Sequence, residues 1–239
     1  MNYYPSIKIR IVLSLLTFLL LITISEILLS RNEAEACSVK DFFEVFMSLG
    51  RHSSFKYLNR GVLSNEFFDK ASESLNDNAV YLILSNTETA SSRIISLFTK
   101  KEFNHISLSF DYELKTTVSY NGGNKIFSPG LNPEKIEDFL RKEDSSALVY
   151  RLEVTRAQKQ AIIDKVSNIN SEGSSYNLIG LIFNKSMKPN IMFCSQFIYT
   201  VLKDSGAAYF AAGKQPLKPS DFIELDYRRN LKFCFEVAY

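Results

Sequence analysis

The run His105-Ile106-Ser107-Leu108-Ser109-Phe110 constrains this chain more than any other stretch. Its strict alternation puts His105, Ser107 and Ser109 on one face of a strand and the apolar partners on the other. Asp111-Tyr112-Glu113 then turns the chain into a second run, Leu114 to Tyr120, which Asn121-Gly122-Gly123-Asn124 ends. Two such runs joined by a short turn read as a β-hairpin, so the sheet is expected to be antiparallel. Further strands are expected at Val80–Leu84, Ala147–Glu153 and Leu231–Val237. Helices interleave with them: a short one within Ser91–Lys100, and one starting at Asn132-Pro133-Glu134, with proline at the first helical position. A third follows the capping-box pair Thr155 and Gln158 and carries Ala161, Ile162, Lys165, Val166 and Ile169. Ser171–Ser175 reads as a polar linker. Interleaved helices around a hairpin-built sheet give an α+β fold rather than a doubly wound one.

The first 31 residues stand apart. Ile11–Leu29 is almost wholly apolar, with Lys8 and Arg10 before it and Arg31, Glu33 and Glu35 after it. Roughly 20 apolar residues span a bilayer as a helix, so 1–31 reads as an N-terminal membrane helix. The flanking cations keep that end in the cytoplasm and place the rest outside. The competing reading is a signal segment cleaved at Ala34-Glu35-Ala36, which would release the protein from the membrane. Residues 32–78 read as a helical juxtamembrane region packing on the domain or on the membrane face. One helix there carries Val39, Phe42, Phe43, Phe46 and Met47, closed by Gly50. A second, capped by Ser64, carries Phe67, Phe68, Ala71 and Leu75 and ends in Asn76-Asp77-Asn78. The compact domain is expected to cover 79–239.

A formal net charge of +2, with cations spread along the chain, gives no argument for nucleic acid as a partner. The three cysteines, Cys37, Cys194 and Cys234, have neither disulfide-framework nor zinc spacing, and none pairs as Cys-x-x-Cys. With only two histidines, His52 and His105, no metal centre and no cofactor are expected.

That scarcity narrows any nucleophilic chemistry to very few groups. Phe193-Cys194-Ser195-Gln196-Phe197-Ile198 reads as the start of an apolar helix, with Asn190 as its N-cap after Pro189. A thiol in a first helical turn is within reach of the macrodipole, and a strand histidine can take its proton. The competing reading is that Cys194 is an inert small apolar residue and His105 a structural one. Cys234, between Phe233 and Phe235, reads as core. Cys37 and His52 lie in polar stretches with no catalytic context.

The ordered motifs resemble the circularly permuted NlpC-type papain-like cysteine hydrolases, the YiiX-like group. The resemblance rests on Tyr81-Leu82-Ile83-Leu84, Thr89-Ala90-Ser91-Ser92-Arg93, Thr99–His105, Tyr176–Leu181, Phe193–Ile198 and Pro219-Ser220-Asp221-Phe222, and covers about residues 79–225. Gln196 and Ile198 stand where that family usually has Glu and Val. The resemblance implies a permuted papain-like fold in which the histidine precedes the cysteine. The sheet then packs on the nucleophile helix. Cys194 is the implied nucleophile, His105 the general base, and a polar residue from the following strand orients the imidazole. Among Thr117, Ser119 and Asn121, Ser119 is the expected third group. The implied substrate is a peptide or other amide, with a cell-wall peptide favoured by an outward-facing domain. A lipid ester, acyl transfer, or a non-enzymatic binding module with a degenerate site are the alternatives.

Overall fold

The computed structural model describes residues 53, 55–86, 103–135, 137, 146–177, 188–211, 213 and 217–238. The apolar run Ile11–Leu29, the helix expected at Val39–Gly50, the helix expected at Ser91–Lys100, and Cys37 and His52 lie outside the described residues. Among the described residues no helix is long and apolar enough to cross a membrane.

Ser64 opens α1 (Asn65–Glu73), its hydroxyl accepting from the Phe67 N–H and so filling a donor the helix cannot satisfy itself. A 3-10 turn, Ser74–Asn76, closes it. The Lys159 ammonium caps this end, donating to the carbonyls of Ser74 at 2.6 Å and Asp77 at 2.8 Å. Leu63, Ala71 and Leu75 enter the main apolar core. Residues 55–78 therefore pack into the same core, to which the Asn59–Ser174 bridge also ties them.

Six strands form one antiparallel sheet in the order β4-β3-β2-β1-β5-β8. They are β1 (Ala79–Asn86), β2 (His105–Ser109), β3 (Thr117–Asn121), β4 (Gly130–Pro133), β5 (Ser146–Glu153) and β8 (Leu231–Ala238). The α+β class read from the hairpin is what the chain adopts. Val80, Leu82 and Leu84 of β1, with Ile106 and Leu108 of β2, face α2 (Arg156–Glu172) and α3 (Cys194–Asp204) across one core. Burying each such side chain contributes about 1.5–3 kcal/mol, which is why β1 sits centrally. The opposite face buries Tyr81, Ile83, Ala147, Val149 and Leu114, with Cys234 and Phe235 half-buried against them. Cys234 is thus a partly covered edge residue rather than a core one. The Thr155–Gln158 capping box opens α2 as its sequence demands.

Three expectations give way to longer-range contacts. The second hairpin strand begins at Thr117, not Leu114, because Asp111 holds the preceding loop. Its carboxylate accepts from the Lys115 N–H at 3.1 Å and the Thr116 N–H at 2.7 Å, and also from the Thr116 hydroxyl. Leu114 takes a left-handed φ of 59° in that loop. Asn132-Pro133-Glu134 ends an edge strand instead of starting a helix: β4 pairs with β3, and the Glu134 N–H donates to the Thr117 carbonyl at 3.0 Å. An edge position tolerates the missing N–H of Pro133. Asn190 is not the cap of the cysteine helix, because Ile191–Met192 (β7) pairs in parallel with Ser175–Tyr176 (β6). Asn190 turns the chain with a φ of 60° and donates from Nδ2 to Glu172 at 2.8 Å. Ser171 and Glu172 meanwhile complete α2.

Candidate active site

The pairing of β6 with β7 delays the helix until Cys194, which becomes its first residue with Phe193 as N-cap. Phe193 offers no side-chain cap. The first N–H groups of a helix have no partner within it, so the backbone at Cys194 presents donors to whatever lies at the sulfur. The thiol is free and 3% exposed. Phe197, Ile198 and Val201 bury the helix on the sheet, and Phe197 packs on Tyr120 of β3 with ring centroids 4.8 Å apart. On the other side, the Ser195 hydroxyl donates to the Leu217 carbonyl at 2.6 Å, tying the first turn to the segment before Ser220.

His105 opens β2, and α3 packs on β2 and β3. Its Nε2 lies 3.0 Å and 3.3 Å from the two carboxylate oxygens of Glu134. The Ser107 hydroxyl donates to Glu134 Oε2 at 2.5 Å and stands 3.2 Å from Nε2. Asn121 donates from Nδ2 to Glu134 Oε1 at 3.0 Å and lies 3.5 Å from the Ser119 hydroxyl, which accepts from it. Behind these, Asn132 donates to Asn121 at 2.8 Å, and Asn59 donates to Asn132 at 2.7 Å. Both carboxylate oxygens are thereby satisfied in a site where an unmatched charge would be costly.

The electrostatics follow from this pairing. Burial works against an imidazolium at His105, but the Glu134 carboxylate and the Cys194 thiol outweigh it and raise its pKa to about 10. Burial likewise opposes a charged Glu134, but His105, Ser107 and Ser119 lower its pKa to about 2. Cys194 thus acts on the ring from the other side of the pair, while Glu134 and Ser107 lie at Nε2. The Tyr176 phenol is also close enough to feel Cys194, and burial and that charge together raise its pKa.

The structure thus brings Cys194 and His105 together and adds a carboxylate that the sequence reading had passed over. Ser119, expected to orient the imidazole, has no hydrogen bond to the ring; its hydroxyl accepts from Asn121, which itself donates to Glu134. Glu134 was missed because Pro133 suggested a helix start. Reading Leu131-Asn132-Pro133 as an edge strand beside the hairpin would have put an acid next to Thr117, two strands from the histidine, within the span of two long side chains. Cys234 sits in edge strand β8, its thiol 3.6 Å from the Lys232 carbonyl. Among the described residues no group of His, Cys, Asp and Glu could hold a metal ion. A thiol, a base and a carboxylate in series can move a proton off sulfur and return it to a leaving group. No family model, curated protein or solved structure matches the chain.

Proposed function

We propose that this chain is a thiol hydrolase that cleaves an amide or ester through an acyl-enzyme on Cys194. The observation that carries this reading is the series Cys194–His105–Glu134, in which the cysteine is buried, the ring and carboxylate are only 12% and 10% exposed and 3.0 Å apart, and Cys194 and Glu134 both act on the imidazole. His105 and Cys194 share one proton; it rests on the ring as sulfur attacks the carbonyl carbon and then passes to the departing nitrogen or oxygen. Water attacks the thioester in the second half, and the thiol is restored. Glu134 holds the ring and stabilises the imidazolium. Backbone N–H groups at the start of α3 would receive the oxyanion.

The ordered motifs from Tyr81 to Phe222 support a permuted papain-like arrangement, with the histidine strand preceding the cysteine helix. The apolar run Ile11–Leu29 supports a single N-terminal membrane helix with the catalytic domain outside the cytoplasm. On that reading an extracytoplasmic peptide, such as a cell-wall peptide, is the favoured substrate. The anchor also places the site near lipid esters, which makes lipid acyl hydrolysis or transfer the second reading.

The test is to treat the full chain in detergent with an acylating thiol probe at neutral pH. Labelling of Cys194 is expected, with loss in Cys194→Ala and strong slowing in His105→Ala. A folded wild-type protein that is not labelled at Cys194 sinks the nucleophile assignment. Turnover of peptide amides against lipid esters then separates the two substrate readings.

A further inference from the structure

Asn121 ends β3, and its amide is held in one sense. Its Oδ1 accepts from the Gly123 N–H at 3.0 Å and from Asn132 Nδ2 at 2.8 Å. Its Nδ2 therefore faces Glu134 Oε1, at 3.0 Å. A backbone N–H only donates, so turning the amide round would set donor against donor. Asn132 is keyed in the same way, its Nδ2 also donating to the carbonyls of Ser128 at 3.0 Å and Gly130 at 3.2 Å. Asn59 donates from Nδ2 to the Ser128 and Leu131 carbonyls and to Asn132 Oδ1.

The three amides thus run head to tail from Asn59 through Asn132 to Asn121, with the last N–H on the carboxylate. Asn59 and Asn132 are buried, and hydrogen bonds aligned in this way polarise one another where water is excluded. A donor at the end of such a series favours the charged form of the acid it meets. An aspartate has the shape of Asn121 and would serve Gly123 and Asn132 as well. Only the amide also has an N–H for Glu134. The titratable groups that act here with Glu134 are His105 of β2, Cys194 of α3 and Tyr176 of β6.

We propose that Asn121 is a positioning residue, whose amide N–H keeps the Glu134 carboxylate charged and turned towards His105. This rests on the thiol hydrolase reading. Asn121 acts through Glu134 and not on the reacting atoms. When Glu134 takes up a proton, the imidazolium loses its counter-charge and yields its own proton to the sulfur, which stops attacking. The amide therefore sets how far into acid the thiol stays reactive. Where Glu134 is charged in any case, its loss matters less.

The experiment follows the reaction of Cys194 with dipyridyl disulfide, a thiol reagent that stays reactive in acid, across pH. It uses wild type, Asn121→Ala, Asn121→Asp and Cys194→Ala as full chains in detergent, the last giving the background from Cys37 and Cys234. For Asn121→Ala the acid limb should move up by about one to two pH units, the equivalent of one hydrogen bond to a charged group. The loss of rate is then concentrated on the acid side. Asn121→Asp sets a second carboxylate against the first and should move the limb further. Asn121 is half-buried at a strand end, so both variants should fold, which urea unfolding checks. An unmoved limb in Asn121→Ala overturns the inference. So does a loss that is equal at every pH, which would mean that the amide only supports the fold, and so does an Asn121→Asp limb no higher than that of Asn121→Ala. A wild type that reacts no faster than Cys194→Ala, or that gives no burst with p-nitrophenyl acetate, removes the hydrolase reading itself.

Discussion

Glu134 Oε1 lies 3.0 Å from His105 Nε2, and this pair joins two strands that are not neighbours in the sheet. The carboxylate sits just past β4 and reaches over β3 to the ring at the start of β2. It thereby fixes the imidazole through Nε2.

Replacing Glu134 by Gln keeps the size and removes the charge. Acylation of Cys194 is expected to fall by on the order of 10²–10⁴, the range seen when the group behind a catalytic histidine is lost. The measurement is the burst rate at neutral pH in wild type and Glu134→Gln, with folding checked by circular dichroism. A loss below tenfold would show that the imidazole is oriented by other groups.

The same pair makes stability depend on pH, and the sign differs at the two ends. For His105 the folded pKa is raised to about 10, so its stabilisation is complete below the ordinary value of 6.5 and is lost as pH rises through about 10. For Glu134 the folded pKa is lowered to about 2, so its stabilisation is complete above the ordinary value of 4.5 and is lost as pH falls through about 2. The pair contributes fully between these ordinary values and less on either side. Urea midpoints across pH should show this difference between wild type and Glu134→Gln, and parallel curves would contradict it.

Ser119→Ala removes the hydroxyl that accepts from Asn121 and leaves Ser107 and Asn121 on Glu134. Activity should fall tenfold or less, since one such bond is worth about 1 kcal/mol. Ser119→Ala matching Glu134→Gln in its loss would restore the hydroxyl as the orienting group.

Lys159 offers a test away from the site. Burial lowers its pKa to about 8, while its ammonium caps the carbonyls of Ser74 and Asp77. Lys159→Met would leave both carbonyls unmatched and should destabilise by about 1–3 kcal/mol, read from urea unfolding. A neutral result would mean that these carbonyls find other partners.

What could be read in the sequence is what neighbouring residues decide. The alternation at His105–Phe110, the Thr155–Gln158 box and the Ser64 cap each act within a few positions, and each element formed where its pattern placed it. Cys194 and His105 were legible because the chain holds so few cysteines and histidines. Leu114, Asn190 and Glu134 were misread because distant partners decide them. Asp111 claims the backbone that would have extended β3. The β6–β7 pair takes Ile191 and Met192 before a helix can begin. Glu134 follows a proline whose preference for a helix start gives way to pairing with β3. Ser119 was placed on the right strand, but an acid from the next strand came between it and the ring.

The borders of the sheet carry a last consequence. One border strand ends in Pro133, which has no N–H to offer a further strand. At the other, Val149 and Tyr150 face Phe235 and Phe233, so Cys234 is an extra residue that bends β8. A bent edge and a proline-stopped edge both resist growth by strand addition. Among the described residues, then, both borders of the sheet carry a feature that disfavours pairing with a second copy.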